Sequence, residues 1–127
     1  MSKELTPQEK IQSFMTEVIK DGNYETAYLF SDEGLTLASS TREDIISEDR
    51  FVEMSVLFQD IQKMADVMGG IDNIRELIIE GYNKRKIIFR FFHAFDQNVV
   101  LALIVPPRKT YRGLTNKLIR LVQKISS

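Results

Sequence analysis

Apolar residues recur along this chain in two periods, and the changes between those periods mark out eight elements. Thr6, Pro7 and Glu9 form a helix start, with Thr6 as N-cap, Pro7 at the first helical position and Glu9 closing a capping box. Ile11, Phe14, Met15, Val18 and Ile19 then fall on one stripe at helical spacing, and Asp21-Gly22-Asn23 ends the helix. Residues 24–31 alternate and are rich in aromatic and apolar side chains, which predicts a strand. Asp32-Glu33-Gly34 predicts a turn, and residues 35–39 a shorter partner strand with Leu35 and Leu37 on one face. The polar stretch 41–46 reads as loop.

A second helix is expected from Ser47, with Ile46 before the cap and Phe51 at the fourth helical position forming a hydrophobic staple. Phe51, Met54, Leu57, Phe58, Ile61, Met64, Ala65 and Met68 make one broad apolar stripe. Val52, Val56 and Val67 fall on nearly the opposite side, the pattern of a helix held between two surfaces, or of scattered surface valines. Gly69-Gly70 ends it. Residues 73–107 then read as a meander of three strands, 74–81, 87–95 and 99–105, with turns at Asn83-Lys84-Arg85 and Asp96-Gln97-Asn98. In the first, Leu77 and Ile79 share a face with Arg75, and Ile74 and Ile78 share the other with Glu76 and Glu80. In the second, Ile87, Phe89, Phe91, His93 and Phe95 oppose Ile88, Phe92 and Ala94. The third is apolar on both sides and so central, and 74–81 reads as an outer strand. Pro106-Pro107 stop the meander. A last helix runs from about Tyr111, capped by Thr110, with Leu114, Leu118, Ile119, Leu121, Val122 and Ile125 inward and Arg112, Lys117, Arg120 and Lys124 outward.

The order α-β-β-α-β-β-β-α, without repeats or linkers, fits one domain over residues 1–127, of α/β (α+β) class: a three-layer α/β/α sandwich around a five-stranded, mainly antiparallel sheet. A 43% hydrophobic content is enough for one core at this length. With no cysteine, disulfides and thiolate metal sites are excluded. No apolar run reaches the ~20 residues of a membrane span, and the start has no signal-peptide core, so a cytoplasmic protein without membrane insertion is expected. Charge is segregated: residues 1–83 hold 7 Lys/Arg against 17 Asp/Glu, and residues 84–127 hold 10 Lys/Arg against Asp96 alone. That division suits self-complementary docking or an anionic partner, and it also arises from solvated faces alone.

Few residues of the chain point to chemistry. His93 is the sole histidine and lies between Phe92 and Phe95 on a strand, where packing or hydrogen bonding is the commoner role. No zinc-protease, nucleophile-elbow, Walker or dinucleotide motif occurs. Glu43, Asp44, Glu48, Asp49 and Glu53 do not have the spacing of a calcium loop. Catalysis, a metal and a cofactor are therefore not expected. Lys84, Arg85 and Lys86 at a hairpin tip offer a basic surface for a partner. Nucleic acid is a weak candidate for it, because Phe89, Phe91, Phe92 and Phe95 alternate as core residues and no RNP-like pattern is present.

The stronger implication is a protein partner. Five strands at ~4.8 Å make a sheet ~24 Å wide, and one helix covers only ~10 Å. If the first and last helices lie side by side on one face, the middle helix is left alone on an equally apolar one. An isologous second copy completes that layer, and an outer strand at 74–81 offers unpaired backbone groups for it. The expected interface is Phe51, Val52, Met54, Val56, Phe58, Ile61, Ile74, Leu77, Ile78 and Ile79.

Several stretches resemble the Roadblock/dynein light chain family, whose bacterial branch includes the MglB-type regulators of small GTPases. They are the hairpin stretch Ala27-Tyr-Leu-Phe-Ser-Asp-Glu-Gly-Leu-Thr-Leu-Ala-Ser39, the helix end Ala65-Asp-Val-Met-Gly69 before strand 74–81, and Gly113-Leu114 in the last helix. The similarity runs from about Leu5 to Ile125, and it departs from the family at Asp32-Glu33-Gly34, where Asp-Gly is commoner. It also departs at the bulky Phe51, Met54, Phe58 and Met64, where alanines are frequent. The resemblance implies a profilin-like Roadblock domain that dimerises through its second helix and third strand, and a non-catalytic module that binds a Ras-like small GTPase. The alternatives are a structural adaptor or light-chain-type scaffold without a GTPase, and a small-ligand sensor, which a large apolar cavity beside the middle helix would favour.

Overall fold

Thr6 starts the first helix as the sequence requires. In the computed structural model, which describes residues 4–41 and 48–127, its Oγ1 accepts from the Glu9 N–H at 3.1 Å and donates to the Glu9 carboxylate at 3.0 Å. The helix, α1 (Pro7–Gly22), ends on Asn23 in the left-handed conformation, whose N–H reaches back to the carbonyls of the last turn. Two strands follow, β1 (Thr26–Ser31) and β2 (Thr36–Thr41), then α2 (Glu48–Gly69), β3 (Glu76–Glu80), β4 (Lys86–Ala94), β5 (Gln97–Val105) and α3 (Arg112–Ser126). All neighbouring strands are antiparallel, in the order β2-β1-β5-β4-β3. So β5 is central and buried on both faces, and β3 is an outer edge, as expected.

The sheet separates two cores. On one face α1 and α3 pack side by side over Ala27, Leu29, Ile88, Leu101, Leu103 and Val105. On the other, α2 lies over Tyr28, Phe30, Phe89, Val100 and Ala102. Tyr24 ties α1's exit to α3, since its hydroxyl donates to the Thr110 carbonyl at 2.6 Å and the ring is fully buried.

Four local expectations are corrected. Leu35 is in the β1–β2 turn, not on a strand face with Leu37: its N–H bonds the Ser31 side chain, its carbonyl takes the Ser31 N–H, and its own side chain is exposed. β2 runs on to Thr41, so loop begins later than expected. The second turn of the meander is Phe95-Asp96, both at positive φ, because Ala94 pairs with Gln97 and closes a two-residue hairpin. Phe95 thereby swings to the α1/α3 core instead of staying on the face of Phe89 and Phe91. Last, the N-cap of α3 is Tyr111, not Thr110, and no side chain caps the helix; Thr110 contributes its carbonyl to Tyr24. The staple residue Ile46 and the cap Ser47 lie outside the described residues. Ile74 precedes β3, which is shorter than the stretch 74–81.

This packing carries two testable expectations. Phe51 is 1% exposed and meets both Tyr28 and Phe30 at 4.7 Å between ring centroids. Phe51→Ala is expected to lower stability by about 3–5 kcal/mol in chemical denaturation. Burial raises the Tyr24 phenol above its ordinary 10.0. The unfolded chain therefore ionises first, and stability present below about pH 10 should fall as the pH rises further. Denaturation curves should show this alkaline slope flattened in Tyr24→Phe.

Candidate functional site

The register of the sheet fixes how α2 lies on it. Tyr28, Ala102, Phe89 and Leu77 are cross-strand neighbours on one rung, and Phe30, Val100 and Phe91 on the next. Phe51 packs on Tyr28 and Phe30 of β1, and Phe58 meets Phe89 and Phe91 of β4 edge-on at 4.9 and 5.0 Å. From Phe51 to Phe58 the helix axis advances ~10 Å, about the two strand spacings from β1 to β4. α2 therefore crosses the strands, following the rungs of Tyr28 and Phe30, instead of lying along them. Gln62 then meets the approach to β3: its amide donates to the carbonyls of Ile71 and Asp72, and its oxygen accepts from the Ile74 N–H at 2.7 Å.

Two consequences follow. A helix of 22 residues is ~33 Å long, more than the ~24 Å width of five strands, so its last turns pass beyond the β3 edge. There Met64, Val67 and Met68 are exposed, the last two at 85% and 82%. A helix ~10 Å thick that crosses the strands also leaves both ends of the sheet face open. At one end is the row Ile104–Ile87–Ile79, half-buried toward the centre and 53% exposed at Ile79 on the edge. The flank of α2 turned to this row, at 100° per residue, carries Met54, Leu57, Ile61, Met64 and Met68. At the other end is an open cleft of about 550 Å³, with Phe58, Phe91, Val99 and Val100 on its floor and Asp32, Lys63, Asn73 and Asn98 on its rim.

The residues singled out in the sequence divide accordingly. Val52, Val56, Ile78 and Ile79 are exposed, while Met54, Ile61, Ile74 and Leu77 are half-buried along the same α2–β3 region. Phe51 and Phe58 face the chain's own sheet and hold α2 in place. Leu57, Met64 and Met68 belong to the same apolar stripe as Phe51 and Phe58, but they are exposed. With Val67, they leave an apolar strip of α2 open to a partner. The crossing direction decides this, and it is not encoded in a helical period.

Charge is arranged differently from its run along the chain. Of the basic tip, Arg85 pairs with Glu25, and Lys86 with Glu80 at 3.4 Å. Lys84 is exposed, and no described residue pairs with it. His93 is exposed at the rim of the cleft instead of packed. No cluster of metal-binding side chains occurs among the described residues, and no described helix is long and apolar enough to cross a membrane.

No family model and no curated protein matches this chain. Solved structures do match it. The gliding protein MglB of Thermus thermophilus aligns with a TM-score of 0.76 at 12% identity, over 99% of this chain and 95% of its own. An MglB described as having a tetrameric arrangement gives 0.76 and 12% over 99% and 94%. The Roadblock/LC7 domain from Streptomyces avermitilis gives 0.69 and 14% over 90% and 92%. The chain thus has the fold of MglB and of Roadblock/LC7 domains, the fold its hairpin and helix-end motifs resemble.

Because Val67 and Met68 make little contact within the chain, Val67→Gln and Met68→Gln should each shift unfolding stability by no more than about 0.5 kcal/mol. Thermal melts at low protein concentration would check this against the large loss expected for Phe51→Ala.

Proposed function

We propose that this chain is a non-catalytic, cytoplasmic, one-domain interaction module that forms a homodimer through α2 and β3 and, as a dimer, binds and regulates a Ras-like small GTPase. The observation that carries it is the open row Ile104–Ile87–Ile79 beside an unpaired sheet edge. A two-fold axis at Ile78 maps the rung of Leu77, under α2, onto the rung of Ile79. The second copy's α2, crossing its own edge, would then lie over that row, against Leu57, Ile61, Met64 and Met68. Each copy covers what the other leaves open, as an isologous interface requires. β3 pairing with its counterpart would join the two sheets and remove both edges. An MglB of the same fold is described with a tetrameric arrangement, which favours self-association here.

The GTPase rests on the resemblance to the MglB-type branch together with the shared fold. No described residue has the placement of a catalytic group, so an effect on hydrolysis would come from holding the GTPase's own loops, not from an inserted arginine. The cleft of about 550 Å³ beside α2 favours a second reading, a small-ligand sensor, because its size is that of ligand pockets. Its polar rim and open shape fit that reading less well than an enclosed apolar cavity would. The core placement of Phe89 and Phe91 and the ion pairs of Arg85 and Lys86 weigh against nucleic acid.

Light scattering at micromolar concentration should report a dimer of the 14.7 kDa chain, and Ile79→Asp with Met64→Asp should report a monomer that still melts cooperatively. With a Ras-like GTPase encoded beside it, the wild-type dimer should raise single-turnover GTP hydrolysis by about an order of magnitude or more. A dimer that neither binds the GTPase nor changes the rate would point to the adaptor instead.

A further inference from the structure

Tyr82 is the most exposed large hydrophobic side chain of the described residues, standing clear at the β3–β4 hairpin tip beside Lys84. Nothing in its own chain accounts for an aromatic ring there, since the tip is held by Gly81, Asn83 and Arg85 through backbone and amide hydrogen bonds. The same two-fold that joins the β3 edges gives the tip a position. An axis at Ile78 brings residue 82 of one copy opposite residue 74 of the other, and a shift of one pair moves that only to residues 72–76. These residues border the open cleft, where Asn73 and Ile74 form one wall.

Charge agrees with this placement. The last turn of α2 has no basic residue, its carbonyl end is the negative end of the helix, and exposed Asp66 and Asp72 lie there. Lys84 has no ion pair among the described residues and lies two residues from Tyr82. Tyrosine at an interface buries a large flat surface for few rotatable bonds, and opposite charges fix register.

Building on the dimer proposed above, we infer that the β3–β4 tip docks on the second copy. Tyr82 covers the Asn73–Ile74 wall of the partner copy's cleft, and Lys84 meets its acidic α2 end. The cleft is then a composite site, walled on one side by the other copy, so dimerisation sets its shape. The chain's acidic first two-thirds and basic last third meet across the interface at this point.

The chain has no tryptophan, so Tyr82→Trp gives a unique emission signal at a position whose exposure leaves the fold unaffected. Emission and light scattering are followed together through a dilution series. The expected result is blue-shifted emission while the dimer persists and a red shift as it dissociates. Tyr82→Ala should weaken the dimer about tenfold or more. Lys84→Glu should also weaken it, and Asp72→Lys in the same chain should restore it. A dimer with water-exposed tryptophan emission and unchanged affinity in Tyr82→Ala would overturn the docking and leave the dimer standing. A monomer at every concentration would overturn both.

Discussion

The rest of the structure depends on how α2 is pinned across the sheet. Two aromatic contacts do this, Phe51 on Tyr28 and Phe30, and Phe58 on Phe89 and Phe91. Because Tyr28 and Phe89 are on one rung, and Phe30 and Phe91 on the next, the helix has to follow the rungs. Bulky rings at both points also keep it at a distance from the backbone, which leaves room for the cleft on one flank. On the other face α1 and α3 share the cover, and that core closes without help.

This geometry leaves an uncovered surface that the proposed second copy would pair. A helix along the strands would have left whole strands bare and given no particular edge to a partner. A crossing helix instead leaves the row Ile104–Ile87–Ile79 only partly covered, least of all at the β3 edge, and it sends its own last turns past β3. Excess helix at the edge and missing helix beside it are complementary under a two-fold rotation. The bulky Phe51 and Phe58, a departure from the alanines expected at close helix crossings, face the sheet and do not hinder such an arrangement.

Several basic residues at the surface are met by acids from elsewhere in the chain. Basic residues that are adjacent in sequence are separated in space by acids drawn from elsewhere, Glu25 and Glu80 at the tip and Glu76 beside Arg112. Exposed ion pairs of this kind contribute little to stability. Their effect is to leave Lys84 as the local charge available for recognition.

By itself the sequence determined the eight elements, the two faces of β3 and β4 and the central place of β5. These are legible because a period of two or 3.6 residues and a cap at Thr6 act locally. It misplaced the Phe95-Asp96 turn and Leu35, where one residue of register moves a side chain into different surroundings. It also left open how Leu57, Met64 and Met68 are covered, since helical period reports which residues share a stripe and not how much sheet lies beneath them. Only the tertiary structure decided that α2 crosses the strands, because that direction is set by Phe51 and Phe58 meeting rings that are far apart in the chain but share two rungs of the sheet. The open row, the overhanging helix end and the cleft all follow from that one angle.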